Sequence, residues 1–305
     1  MRALRLATRG SPLARYQAEL VRRLLLDAGA PEVELVVVRT TGDRVTDVPV
    51  ERIGGQGAFV KEVQTAVAGG AADLAVHSAK DLPSRTPDGL VLACVPERVD
   101  PRDALVGRRL DELPPGGTVA SGSVRRRAQL AWLRPDLTFV ELRGNMATRI
   151  ERARATGAGV VAAAALLRLG LEHEMSQILE TDVMCPQVAQ GAIAVECRTD
   201  DAELREALDA LDDSAAHRAV RAERAFLATL GGGCTLPLGA YATTGHGGEL
   251  VVTGMLASRD GHVVLRDTVR GGDPEELGRT LALRLLHDHG GRDLEDWPLP
   301  DRAEA

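Results

Sequence analysis

The sequence predicts an α/β protein whose mainly parallel sheets are covered by helices, ending in a small α+β segment. Three observations carry this. Through the first two-thirds of the chain, short apolar runs alternate with amphipathic stretches, as βα units do. From about residue 213 that alternation gives way to a long helix and a strand pair joined by a hairpin turn. The 305 residues are 44% apolar and 27% charged, close to the globular average, and the length suits about two domains.

The elements follow in order. Residues 3–7 form a strand, and 11–27 a helix with Ser11 as N-cap and Pro12 in its first turn. Gly29 stops that helix. Residues 33–38, Val-Glu-Leu-Val-Val-Val, read as a strand buried on both faces. A polar loop with four glycines covers 40–57, and 58–68 is a short helix. Strands at 74–77 and 90–94 come next. The alternation restarts with strand 118–120, helix 123–133, strand 139–142, helix 145–155 and strands 160–164 and 193–197. Helix 214–230 precedes Gly231-Gly-Gly-Cys234. Strands 249–257 and 262–269 flank the turn Ser258-Arg-Asp-Gly261, and helix 274–288 closes the chain.

Composition excludes several functions. Aromatics are only 2%, too few for stacking along single-stranded nucleic acid, and the net charge of −7 argues against a general DNA or RNA binder. No run of 18 apolar residues suggests a membrane span, and the charged N-terminus is unlike a signal peptide, so a cytoplasmic protein is expected. Cys94, Cys185, Cys197 and Cys234 have neither C-x-x-C nor zinc spacing, so they are expected to be free thiols and no metal site is expected. Arg outnumbers Lys 35 to 2, which base composition explains; Lys61 and Lys80 stand out against it.

Candidate chemistry gathers where strands end and helices begin. Arg9 follows the first strand and precedes Ser11. Ser123 is a candidate N-cap, with Arg125, Arg126 and Arg127 in the first turn behind it. Arg143 precedes the N-cap Asn145, with Arg149 one turn on. Cations there oppose the helix dipole by roughly 0.3–1 kcal/mol each, so an anion is expected at Arg125, Arg126, Arg143 and Arg149. Residues 121–154 carry eight Arg and three acids, a local +5. Arg127, Arg152 and Arg154 are expected on a solvated face. In His77-Ser-Ala-Lys80-Asp81, the Lys–Asp pair suits acid–base work or substrate orientation, or is simply a surface ion pair. His77 by itself reads as a packed or loop residue. Cys234 is either an attachment point or an apolar thiol in a tight turn.

These residues fall in a recognisable series. Thr8-Arg-Gly-Ser-Pro-Leu-Ala14, Thr40-Thr-Gly-Asp43, Gly54-Gly-Gln-Gly-Ala-Phe-Val-Lys-Glu62, His77-Ser-Ala-Lys-Asp-Leu-Pro83, Leu142-Arg-Gly-Asn145, Arg168-Leu-Gly-Leu171, Gln190-Gly-Ala-Ile-Ala-Val-Glu-Cys197 and Gly232-Gly-Cys-Thr-Leu-Pro-Leu-Gly239 closely resemble the porphobilinogen deaminases, from residue 3 to about 270. The resemblance implies a transferase of tetrapyrrole (haem) biosynthesis. It would link four porphobilinogen molecules head to tail, release ammonia each time, and hydrolyse off linear hydroxymethylbilane. It implies a dipyrromethane cofactor, built from substrate and held by a thioether to Cys234. It further implies catalytic roles for Asp81, Arg9, Arg126 and Arg149. Cofactor contacts would come from Lys80, Ser11, Ser123, Arg125, Arg126, Arg143 and Asp81. Substrate contacts would come from Arg9, Arg149, Arg168 and Phe59. Two domains like periplasmic binding proteins around a cleft (1–97 with 193–212, and 98–192) and a third at 213–305 are implied, in a monomer with neither nucleic-acid nor membrane partners.

Some positions depart from the family pattern. Gln56 stands where many relatives have Lys, Arg52 where some do, and Leu167 replaces a frequent Lys. The turn Thr156-Gly-Ala-Gly159 lacks a common Asp, and Gly231 stands where an acid is common. These bear on a lid and on local stability. A competing reading is a non-catalytic bilobal protein that binds polycarboxylates; Asp81 and Cys234 argue against it, because a pure binder needs neither.

Overall fold

The structure, a computed structural model, describes residues 2–44, 59–231 and 236–294. Chain contacts divide it into two compact units, Met1–Val99 with Gly191–His217, and Asp100–Gln190 with Arg218–Ala305.

The first unit holds strands β1 (Leu4–Arg9), β2 (Val33–Val38), β3 (Leu74–Ser78), β4 (Leu90–Cys94) and, on the chain's return, β10 (Ile193–Arg198). Helices α1 (Pro12–Asp27), α2 (Thr41–Arg44), α3 (Lys61–Ala68) and α7 (Ala202–Asp209) belong to it. The strand order is β2-β1-β3-β10-β4. β1 runs parallel to β2 and β3, and β10 runs against both β3 and β4. The period of two along β1 sends Leu4 and Leu6 to one face, under Val21 and Leu25 of α1 and Leu204 and Leu208 of α7. It sends Ala7 to the other face, under Val63 and Val67 of α3.

In the second unit lie β5 (Asp103–Gly107), β6 (Thr118–Ala120), β7 (Thr138–Val140), β8 (Ala158–Ala162) and β9 (Met175–Leu179), in the order β7-β6-β8-β5-β9. Here α4 (Val124–Leu133) covers one face through Leu130, and α5 (Met146–Thr156) and α6 (Ala163–Arg168) cover the other through Ile150, Ala153 and Leu166. The two sheets share one plan: the second strand at the edge, then the first, the third, a reversed strand and the fourth. The reversed strands, β5 and β10, are the first that the chain forms after it passes from one unit to the other. No fixed-period sequence repeat announces this, because strand order is a property of pairing and not of spacing.

The remainder is α+β. Antiparallel β11 (Leu238–Thr244), β12 (Leu250–Ala257) and β13 (Val264–Gly271) are backed by α8 (Ser214–Thr229) and α9 (Pro274–His287). Gly254 lets Phe226 of α8 and Leu281 of α9 approach the sheet closely, and Gly278 lets α9 cross close over α8. The observed class is the one expected: two sheets of mainly parallel strands, then a small C-terminal sheet.

Several boundaries differ from the sequence expectation. β2 is not buried on both faces. It is the sheet's edge, and Val37 is 41% exposed. The loop expected from residue 40 opens with a helical turn, α2, and residues 45–58 lie outside the described residues. The strand expected to reach Ala164 stops at Ala162, because five of the next six residues are Ala or Leu, strong helix formers, and they start α6. β5, β9, β11, α6 and α7 had no clear signal. β9, Met-Ser-Gln-Ile-Leu, has weak strand propensity and forms by pairing with β5.

Candidate active site

Two constellations hold the predicted site residues, one in each unit. In the first unit, β1 delivers Arg9 at its carboxyl end. Ser11 caps α1, its hydroxyl accepting the Ala14 N–H at 3.3 Å. β3 ends at Ser78, and a single 3-10 turn, Ala79–Asp81, then carries Lys80 and Asp81. Arg9, Ser11, Phe59, His77, Ser78 and Asp81 converge on one concavity, with Leu13, Val60 and Val76 as its apolar wall. Open α/β sheets place ligands just beyond their strands' carboxyl ends, where this concavity lies. The Arg9 guanidinium sits over the Phe59 ring, 4.3 Å from its centroid. Such stacking orients the planar cation. Gly42 makes room for the ring, since a Cβ there would overlap it.

The sequence reading missed Gln17. It lies on the buried side of α1 with Ala18, Val21 and Leu25, and exchanges hydrogen bonds with Ser78 at 2.9 and 3.0 Å. That clamp ties α1 to the strand that delivers Asp81. A glutamine on an otherwise apolar helix face was the available signal.

In the second unit, Ser123 caps α4 by accepting the Arg126 N–H at 3.4 Å. Arg125 and Arg126 follow, both buried. The anion that offsets the dipole penalty is supplied by the protein itself: Asp103, fully buried at the start of β5. Its carboxylate lies 2.8 Å from Arg125 Nη2 and 2.7 Å from Arg126 Nη2, and accepts from Arg126 Nε at 2.9 Å. Arg125 also donates to the Cys185 carbonyl at 2.5 Å, and Arg126 to the Val160 carbonyl at 3.0 Å. Gln190 adds a hydrogen bond to Asp103 at 3.0 Å. Burial, the largest influence on the Asp103 pKa, pushes it up; the two guanidiniums and Gln190 more than reverse this and hold it at about 2. Burial lowers the Arg126 pKa, which Asp103 opposes. The ionised trio keeps a net charge of +1, and Arg125 Nε is buried without a hydrogen bond among the described residues. An acid-bearing ligand suits that surplus.

Gly144, at φ +103°, turns the chain between Arg143 and the N-cap Asn145. Arg149 Nε donates to the Gly144 carbonyl at 2.9 Å, and Arg143 Nε to Glu141 at 3.1 Å. Arg168 ends α6 and is buried, at a helix C-terminus where the dipole favours a cation. Arg127 and Arg154 pair with Glu141 and Glu174, and Arg152 is exposed, as expected of a solvated face. Burial pushes the thiol of Cys185 up to about 12 and that of Cys197 up to about 11, and raises that of Cys94 further, so none is a thiolate near neutral pH. Cys234, the expected attachment point, and Gln56 and Arg52 lie outside the described residues. Among the described residues no group of three potential metal ligands occurs, and no helix is long and apolar enough to cross a membrane.

Comparison with known proteins decides the family. Residues 4–206 match the family model described as porphobilinogen deaminase, dipyromethane cofactor binding domain, and residues 217–287 match the C-terminal domain of the same proteins. The chain belongs to the porphobilinogen deaminase family. It is 49% identical to the porphobilinogen deaminase of Roseiflexus sp. (strain RS-1), covering 95% of this chain and 97% of that one. It is 40% identical to that of Bacillus subtilis (strain 168), over 97% of this chain and 96% of the other. Among solved structures it aligns with immunogenic lipoprotein A from Vibrio vulnificus, with a TM-score of 0.43 and 12% identity, over 70% of this chain and 96% of that one. Both constellations lie within the stretch matched by the porphobilinogen deaminase cofactor-binding model.

Proposed function

We propose that this chain is a hydroxymethylbilane synthase, which joins four porphobilinogen molecules head to tail, primed by a dipyrromethane on Cys234. The observation that carries this reading is the convergence of Arg9, Ser11, Phe59 and Asp81 on one concavity at the ends of β1 and β3. Asp81 lines the concavity itself, where a protein that merely gripped polycarboxylates would be repelling its ligand.

Each residue has a distinct part. Arg9, held flat by Phe59, takes a substrate carboxylate. The Asp81 carboxylate stabilises the positive charge that develops as ammonia leaves porphobilinogen. Leu13, Val60 and Val76 exclude water, which strengthens both interactions. The cofactor contacts proposed are Lys80, Ser11 and Asp81 in the first unit and Ser123, Arg125, Arg126 and Arg143 in the second. Arg149 and Arg168 would receive carboxylates of the chain as it lengthens. The bound dipyrromethane supplies the electron-rich pyrrole carbon, so neither a metal nor pyridoxal is required. Asp103 fixes Arg125 and Arg126 before any ligand arrives, which lowers the cost of ordering them.

The three-domain division at 1–97 with 193–212, 98–192 and 213–305 is part of the proposal. The repeated strand order supports a common, periplasmic-binding-protein type for the first two. So are a monomeric state, a cytoplasmic location and the absence of a nucleic-acid partner, which the net charge of −7 favours. The deciding experiment is the intact mass of purified protein. It should exceed the sequence mass by two linked pyrrole units, and Cys234→Ser should abolish the increment. Active enzyme with the bare-chain mass refutes the reading.

A further inference from the structure

One residue that lines the concavity, and the buried carboxylate beside it, have no part in the reading above. His77 lies on β3, is 5% exposed, and lines the same concavity as Arg9 and Asp81. Its Nε2 is 3.3 Å from Glu196 Oε2, off the line of a good hydrogen bond, a spacing that tightens in many acid–base pairs once substrate is seated. β10 places Glu196 opposite Ala75, so it shares a sheet face with His77. Glu196 is fully buried, and both its oxygens accept from Gln64 Nε2, at 3.2 and 2.9 Å. A carboxylate removed from water needs a compensating cation or hydrogen bonds, and among the described residues the imidazole is its one basic partner. No hydrogen bond reaches the ring's Nδ1 among the described residues. An imidazole with one nitrogen turned to a buried carboxylate and the other left for a ligand is the arrangement of a positioned proton acceptor.

We propose that His77 accepts a proton in this pocket and that Glu196 is its positioning residue. The inference rests on the polymerisation proposed above. When a carbon–carbon bond forms between pyrroles, the attacked ring carbon must lose its hydrogen. That C–H bond breaks, its electrons return to the pyrrole, and the proton bonds to His77 Nδ1. The Nε2–H remains directed at Glu196, whose negative charge balances the imidazolium. The proton then passes to the ammonia already released, which leaves as ammonium, and the neutral ring is restored for the next addition. The charged groups about the ring are Glu196 behind it and Arg9 and Asp81 on the same concavity. The polar side chains that α1 and α3 contribute, Gln17 and Gln64, are neutral.

The test compares cofactor-loaded wild type, His77→Gln and Glu196→Gln across pH, with intact mass reporting the dipyrromethane and circular dichroism the fold. Wild-type turnover of porphobilinogen is the control; if it fails, the polymerisation reading has failed and not this one. His77→Gln should load its cofactor, keep KM within about twofold, lose roughly 10²-fold in kcat and lose the acid limb of the kcat profile. Glu196→Gln should load its cofactor, keep KM within about twofold and lose roughly tenfold in kcat, and Glu196→Asp should recover part of that loss. A loaded, folded His77→Gln enzyme with near wild-type kcat and an unchanged profile overturns the proposal. Should His77→Gln not fold, a loaded Glu196→Gln enzyme with wild-type kcat overturns it equally.

Discussion

Asp103→Asn removes one charge and keeps the side chain's shape, so it isolates what the buried carboxylate does for Arg125 and Arg126. Asp103 has a pKa of about 2 against an ordinary 3.8, a gap worth roughly 2 kcal/mol of folding stability at neutral pH. The variant also leaves two guanidiniums, 3% and 9% exposed at their side chains, with neutral acceptors alone. Breaking a buried ion pair from one side typically costs about 3–5 kcal/mol. A loss of roughly 2–5 kcal/mol at pH 7 is therefore expected. Because folding lowers this pKa, the contribution is complete above about pH 4 and drains away as pH falls through 2. Urea unfolding of both proteins, followed by circular dichroism between pH 7 and 2.5, should show a gap that narrows steadily below pH 4. A gap under about 1 kcal/mol at pH 7, or one indifferent to acid, would show that the trio is not an ionised unit.

Three further outcomes are expected. Asp81→Asn should fold and carry its cofactor but lose about 10²-fold or more in turnover, read by initial rates beside intact mass. Arg143→Leu should impair cofactor assembly or elongation, and added salt should weaken wild-type substrate binding more than the variant's, seen in KM against ionic strength. Gly278→Ala should lower the melting temperature markedly while leaving KM unchanged, since its Cβ would fall 2.7 Å from the Phe226 nitrogen, where α9 crosses α8.

Helix starts were legible in the sequence because a cap is a local bond. Ser11, Ser123 and Asn145 each accept the backbone N–H three residues on. The family series was legible for the same reason: each motif is a short run at one strand end or turn. The conclusion that cations at Ser123-Val-Arg-Arg face an anion was right in kind and incomplete in source. Asp103 lies on a strand with no signal of its own, in register with Leu179 and Ala162.

Sequence by itself determined the α/β class, the positions of the strand ends, the cap residues and the chemical types that stand there. Tertiary structure alone decided that β2 is an edge, that both sheets use one strand order, that Gln17 clamps Ser78, and that Glu196 lies behind His77. The division has a physical cause. Propensity, capping and hydrophobic period act over a few residues, whereas Gln64 and Glu196 are 132 residues apart and meet only when the sheet pairs. Burial then makes that distant contact count, because a charge withdrawn from water must find its partner within the fold.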